Sequence, residues 1–198
     1  MTATTLHKMD YFAARKAMID SQLRTSGVNE PFVLERMGVV PREDFVPDAS
    51  RGTAYVDRAI RLEDGGYLPA PVFHGAMLAE ARPGFEDDVL IIDGGSGYVE
   101  ALIEPLVASV RSVRADAALK LKKGAYSLLL VDGAIEHVPA NLPRLLADDG
   151  RVVTGVVERG VTRLATGRKS GGALALVPLA EMGIPRMSAF DKPKSWSF

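Results

Sequence analysis

Two groups of residues in this sequence have the types and spacing to do chemistry. The first is Asp93-Gly94-Gly95-Ser96-Gly97, directly after the apolar run Val89-Leu90-Ile91-Ile92. Three glycines within four positions let the main chain turn sharply and leave backbone N–H groups facing a ligand at the carboxyl edge of a sheet. The same spacing suits a bare strand-to-helix turn, with Asp93 capping the helix that follows. Both readings stand. The second group is Asp132, Glu136 and His137, just after Leu128-Leu129-Leu130-Val131. A carboxylate orienting His137 would give a base that works near neutral pH. No nucleophile accompanies it, and Glu136 with His137 also suits the start of a helix. His7 and His74 have no metal-ligand spacing with His137, so no metal site is expected.

The elements that must position these groups follow from periodicity. Val89 to Ile92 and Leu128 to Val131 are apolar without alternation, as expected of strands buried on both faces in a parallel sheet. Ser109 to Arg114 alternates and predicts another strand, with Ala115 to Lys123 long enough for only a short helix. Tyr98 to Glu104 is helical up to Pro105. Val138 to Ala147 reads as a helix stopping at Asp148-Asp149-Gly150. Three strands then follow over Arg151–Val157, Val161–Thr166 and Ala173–Val177, joined at Arg159-Gly160 and across Gly167 to Gly172.

Upstream, Asp10 to Leu23 predicts a helix with Phe12, Ile19 and Leu23 inward and Arg15, Lys16 and Asp20 outward. Gly27 suits its exit. Asn29 can cap a second helix with Pro31 in its first turn and Val33, Leu34 and Met37 buried. Residues 48 to 70 read mainly as loop, and Pro71 starts a helix that ends before Pro83-Gly84. The tail Lys194 to Phe198 alternates polar and aromatic residues and reads as an edge strand or an anchored terminus. Helices first, then alternating strands and helices, then a hairpin describe a doubly wound α/β fold with an N-terminal helical cap. Its cleft is expected over Asp93 to Gly97, Arg114 and Asp132 to His137.

Composition sets wider limits. The chain has 198 residues, 47% hydrophobic and 25% charged, as in an ordinary globular protein. A formal net charge of −1 gives no overall attraction to nucleic acid or anionic membrane, so neither partner is expected. Cysteine is absent, which removes disulfide and thiolate chemistry and fits a cytoplasmic location. No secretory leader pattern or membrane-length apolar run is visible.

Several blocks carry a family resemblance. Arg15-x-x-Met18-Ile19-x-x-Gln22-Leu23, Gly27-Val28, Val33-Leu34-x-x-Met37, Val40-Pro41-Arg42-Glu43-x-Phe45-Val46-Pro47 and Ala54-Tyr55-x-Asp57 resemble the N-terminal region of protein-L-isoaspartate O-methyltransferases. Val89-Leu90, Gly95-Ser96-Gly97-Tyr98, Val138-Pro139-x-x-Leu142 and Val177-Pro178-Leu179 follow in that family's order. The resemblance implies a Rossmann-like methyltransferase domain over residues 83–198, with residues 1–82 as helical cap and substrate-side loop. It also implies S-adenosylmethionine as cofactor at Asp93, Gly94, Gly95, Ser96 and Gly97, and methyl esterification of isoaspartyl residues in damaged protein or peptide substrates.

The sequence departs from that pattern at four places. The family's substrate-binding serine aligns with Pro69, which has neither hydroxyl nor N–H, and Tyr67 and Ala70 replace other polar members, so no catalytic residue is carried over. The family's motif glutamate aligns with Ile91 and its first glycine with Asp93. Arg114 stands where the family has an acid for the ribose hydroxyls, and a guanidinium only donates and repels a sulfonium. Finally, Ala115 to Ala125 is eleven residues. Such a stretch spans at most about 35 to 40 Å. It cannot hold a helix, a strand and another helix, so a mostly parallel sheet shortened by one edge strand is expected. Two functions remain: a non-catalytic binding or scaffold protein on the family fold, expected to bind S-adenosylmethionine weakly or not at all, and an active carboxyl methyltransferase. The missing strand also predicts a covered sheet edge, by a homodimer or by the N-terminal helices.

Overall fold

The computed structural model describes residues 10–192, so the expectation for Lys194 to Phe198 lies outside the described residues. Asp10 accepts a hydrogen bond from the Ala13 amide and opens α1 (Tyr11–Met18), which widens into a π-helical turn over Ile19–Leu23. Gly27, at φ 86°, takes the left-handed exit that only glycine adopts without strain. Helix α2 (Pro31–Val39) starts from Glu30 rather than Asn29, with Pro31 in its first turn and Val33, Leu34 and Met37 buried. The inward face of α1 is also rotated from the expectation. Phe12 is 75% exposed, whereas Met18 and Leu23 are fully buried and Tyr11 and Ala14 pack beside them. Arg15 turns inward because it finds compensation there: its guanidinium reaches Glu43, the Tyr55 hydroxyl and the Gly38 carbonyl.

Two short strands, β1 (Ile60–Arg61) and β2 (Tyr67–Leu68), pair as a hairpin inside the stretch expected to be loop. Helix α3 (Pro71–Ala81) follows, then the main sheet strands and helices: β3 (Asp88–Asp93), α4 (Tyr98–Ile103), β4 (Ser109–Arg114), α5 (Ala115–Lys120), β5 (Tyr126–Ile135), α6 (Leu142–Leu145), β6 (Leu146–Glu158), β7 (Val161–Ser170) and β8 (Ala173–Glu181). The sheet order is β4-β3-β5-β6-β7-β8. The first four strands run parallel, and β7 and β8 add on antiparallel. This is a Rossmann-like sheet with β4 outermost, and α5 is the short crossover that the eleven residues allowed.

The expected helix over Val138–Ala147 shrinks to the four residues of α6. Pro139 and Pro143 limit its hydrogen bonding. Leu146 already pairs with Tyr126, and Arg151 with Leu128, so Asp148-Asp149-Gly150 bulges within β6 instead of ending a helix. The next two hairpins close on Arg159-Gly160 and Gly171-Gly172, all four residues at positive φ. That is the backbone twist two-residue turns need. β7 therefore runs to Ser170, past the point where its turn was expected.

Alternation along β3 and β5 divides the core. Val89, Ile91, Leu128 and Leu130 join the N-terminal helices and α3 in one cluster, while Leu90, Ile92, Leu129 and Val131 pack with Leu142, Leu145 and Phe190 on the other face. Burying each such side chain is worth about 1.5–3 kcal/mol. No helix among the described residues is long and apolar enough to cross a membrane.

Candidate functional site

The turn after β3 closes on itself. Asp93 accepts hydrogen bonds from the amides of Gly95 (2.7 Å) and Gly97 (3.1 Å), and Ser96 Oγ accepts from the Tyr98 amide. Gly95 and Gly97 lie at φ 121° and 72°, so both need glycine. The Gly95 and Gly97 amides are thus engaged by Asp93, which closes the turn.

Two further elements close over it. The β1–β2 hairpin comes so near that a Cβ on Gly66 would stand 2.2 Å from the Gly94 carbonyl oxygen, and the Tyr67 amide donates to that same oxygen at 3.1 Å. Arg114 at the end of β4 is about half exposed but is held by two carboxylates. Its guanidinium lies on Gly95, where a Cβ would meet Nη1 at 2.0 Å, and it pairs with Asp64 (3.1 Å) and Asp93 (3.8 Å).

A cleft of about 400 Å³ remains at the carboxyl ends of the strands. Asp64, Tyr67, Asp93, Gly94, Arg114 and Asp132 line it on one side, and the segment Pro185 to Ala189 on the other. That segment is held against β5 by hydrogen bonds from the Ala134 amide to Pro185 and from the Met187 amide to Ala134.

Asp132, Glu136 and His137 do not assemble into a site. Asp132 turns toward α3, whereas Glu136 pairs with Arg186 (2.8 Å) and His137 Nδ1 lies 2.9 Å from the Phe190 carbonyl. Asp132 meets His74 instead: His74 Nε2 is 2.8 Å from Asp132 Oδ1, with both side chains fully buried. On the other side of the ring, Arg42 Nη1 donates to His74 Nδ1 at 3.0 Å. Arginine has no acceptor, so Nδ1 must be unprotonated and Nε2 carries the hydrogen that Asp132 accepts. Arg42 also donates to the carbonyls of Ala54 (2.7 Å) and Pro69, and its guanidinium stands 5.1 Å from the Tyr98 ring centroid.

Burial pushes the His74 pKa down, outweighing the pull of Asp132, so the ring is neutral. Burial likewise lowers Arg42, with Tyr98 and Asp132 opposing it, yet an arginine keeps its charge. Asp93 is raised by its burial first and by the neighbouring Asp132 second. The result is a buried line, Arg42–His74–Asp132, running from the N-terminal cap to the sheet beneath the cleft.

The profile of the protein-L-isoaspartate(D-aspartate) O-methyltransferase family matches residues 13–115. A protein-L-isoaspartate O-methyltransferase of Roseiflexus castenholzii is 30% identical over 200 residues, covering 88% of this chain and 91% of that protein. The chain belongs to the protein-L-isoaspartate O-methyltransferase family. A relative of the same name from Protochlamydia amoebophila is 29% identical over 165 residues, covering 70% of this chain and 79% of the relative. Among solved structures, a Plasmodium falciparum protein described as a protein-L-isoaspartate O-methyltransferase, in complex with S-adenosyl-L-homocysteine, superposes with a TM-score of 0.71 at 16% identity, over 92% of this chain and 100% of that one. A second protein-L-isoaspartate O-methyltransferase superposes at 0.69 with 17% identity, over 88% of this chain and 66% of that one. In this family member, the Pro69 carbonyl is held by Arg42 and its ring has no donor to offer.

Sequence reasoning missed Arg42 and His74. A signal existed for His74, because it shares α3 with Phe73, Met77, Leu78 and Ala81 and so lies on a helix buried nearly all round. A polar ring there requires partners.

Proposed function

We propose that this chain keeps the protein-L-isoaspartate O-methyltransferase fold as a non-catalytic binding protein and does not esterify isoaspartyl carboxylates. The observation that carries this reading is the Arg114 guanidinium seated on Gly95 and paired with Asp64 and Asp93. Family membership, and the S-adenosyl-L-homocysteine named with the Plasmodium neighbour, support S-adenosylmethionine as the cofactor class of the fold. The residues at this turn do not fit that cofactor in the arrangement described. The Gly95 and Gly97 amides are engaged by Asp93, and a cation stands where a sulfonium cofactor needs an acid. Pro69 in place of a serine removes the hydroxyl that would engage an isoaspartyl substrate.

The competing reading, an active carboxyl methyltransferase, draws on the family and requires Arg114 to leave Gly95. Calorimetry with S-adenosylmethionine separates the two. The non-catalytic reading expects a dissociation constant weaker than about 1 mM. It also expects no methyl ester on an isoaspartyl peptide. Micromolar binding with ester formation would refute it. Arg114→Ala should bind the cofactor more tightly than the unaltered protein, because it clears Gly95.

A further inference from the structure

The outermost strand on the far side of the sheet, β8, reads Ala173-Leu174-Ala175-Leu176-Val177-Pro178-Leu179-Ala180 before its final Glu181. No side chain from Ala173 to Ala180 is charged or forms hydrogen bonds. Ala175 is exposed, Val177 is 58% exposed and Leu179 47%, while Leu174 and Leu176 are half-buried on the opposite face. Among the described residues no strand pairs with the outer side of β8. Sheets protect such edges with charges, proline or a bulge. Here Pro178 and a register shift beside it guard only the far end, and Ala173 to Val177 stays regular and open.

The turn decides which main-chain groups of this stretch are free. Gly171-Gly172 is a two-residue turn with both residues at positive φ, so its flanks Ser170 and Ala173 exchange hydrogen bonds and the pairs alternate from there. Ala173, Ala175 and Val177 thus bond across to β7, whereas Leu174, Leu176 and Pro178 turn their main-chain groups outward. Pro178, which has no N–H, falls in the outward set, where an edge strand admits it. The N–H and C=O groups of Leu174 and Leu176 are therefore on offer.

A second β8 running antiparallel matches them. With Ala175 opposite Ala175 of the other copy, Leu174 of each strand faces Leu176 of the other, and each such pair exchanges both of its hydrogen bonds. Pro178 then lies opposite Gly172, beyond the last of these bonds, so its missing N–H costs nothing. The half-buried leucines meet on one face, and Ala173 meets Val177 on the other. No charge stands in the way, because Lys169 is drawn to Asp148 and Arg168 to the Asp149 carbonyl. An extended peptide of another protein would need an apolar segment in the same register, which a second copy already has.

We propose that β8 pairs antiparallel with β8 of a second copy, joining two six-stranded sheets into one across a two-fold axis. The homodimer expected from the sequence is thereby moved to the edge opposite the shortened one, and it is independent of the glycine turn. Such a contact is isologous and stops at two copies. Built on one strand from each side, it falls below about 1,200 Å², where association is weak.

Sedimentation velocity of the full chain from about 1 µM to about 1 mM should show a monomer–dimer equilibrium with a dissociation constant of about 1–100 µM. Ala175→Lys and Ala175→Glu each set like charges directly opposite one another and should each weaken the dimer by about tenfold or more. Mixed together, the two variants should associate again. The chain has no cysteine, so Ala175→Cys can be oxidised without competing thiols and should cross-link into dimers far faster than Ser109→Cys on β4. If a charged variant does not fold, the two cysteine variants decide. A monomer up to about 1 mM would overturn the proposal and leave β8 to an extended peptide of another protein. Species larger than two, a dimer indifferent to both charges, no association on mixing, or equal cross-linking of the two cysteine variants would also overturn it.

Discussion

Replacing Arg42 with methionine tests whether the buried line beneath the cleft joins the N-terminal cap to the sheet. The substitution keeps an unbranched chain of similar reach and removes all the donors. Arg42 is fully buried and bonds to the Ala54 and Pro69 carbonyls and to His74 Nδ1. Arg42→Met would leave these three acceptors dry and unpaired, and deprive Asp132 of its buried counter-charge. Each orphaned acceptor costs about 1–3 kcal/mol, partly recovered by relaxation. Breaking one side of a buried charge network typically costs about 3–5 kcal/mol in all. For a chain of this size each kcal/mol lowers Tm by about 2–4 °C, so the expected fall is about 6–20 °C. Urea unfolding at neutral pH, followed by far-UV circular dichroism, gives the free energy, and calorimetry gives Tm. Arg42→Lys should recover only part, since an ammonium cannot span three acceptors fixed for a planar fork. Combining Arg42→Met with Asp132→Asn should cost less than the sum of the two, with a coupling of about 1–3 kcal/mol. A loss below about 1 kcal/mol for Arg42→Met would refute the reasoning, because it would place the guanidinium in water.

Three other outcomes are expected. Because burial lowers the folded pKa of His74 below its unfolded value of about 6.5, the unfolded state takes up the proton first as pH falls; stability should hold above that pH and decline below it by up to about 1.4 kcal/mol per pH unit, a slope that unfolding of His74→Gln should lack. Burial pushes Asp87 up, but hydrogen bonds from Arg151, Ser127 and the Gly84 amide prevail and hold it at about 2. Asp87→Asn should therefore cost about 1.5–3 kcal/mol at neutral pH. That deficit should shrink as pH falls below about 4 toward 2, as acid titration of both proteins would show. Gly66→Ala should cost about 1–3 kcal/mol, because its Cβ would strike the Gly94 carbonyl and push the hairpin off the turn, and equilibrium unfolding would measure it.

The sheet was legible where burial on both faces dictated composition. Val89 to Ile92 and Leu128 to Val131 have no polar side, and the strands stand where that pattern put them. The glycine turn was also legible, but Asp93 does not cap the following helix as expected: it accepts from the Gly95 and Gly97 amides inside the turn, and Gly97 opens the helix with no side-chain cap. What failed depended on distant partners. Arg15 reads as a surface charge until Glu43 and Tyr55 are brought beside it. Asp132 groups with His137 by nearness in the chain, but its partner lies 58 residues upstream on α3. Strand pairing also overrode local pattern at Leu146, where residues with helical periodicity were drawn into β6 by Tyr126. No periodicity encodes such contacts.

The place of β4 at the margin of the sheet has a consequence for how copies of this protein behave in a crowd. A marginal strand offers an unpaired row of amides and carbonyls on which other chains can template themselves. Here that row is six residues long, with Arg111 exposed along it and Lys120 on the helix that follows. Two such margins brought together would set guanidinium against guanidinium. The like charges act as gatekeepers against amyloid-style stacking on this margin.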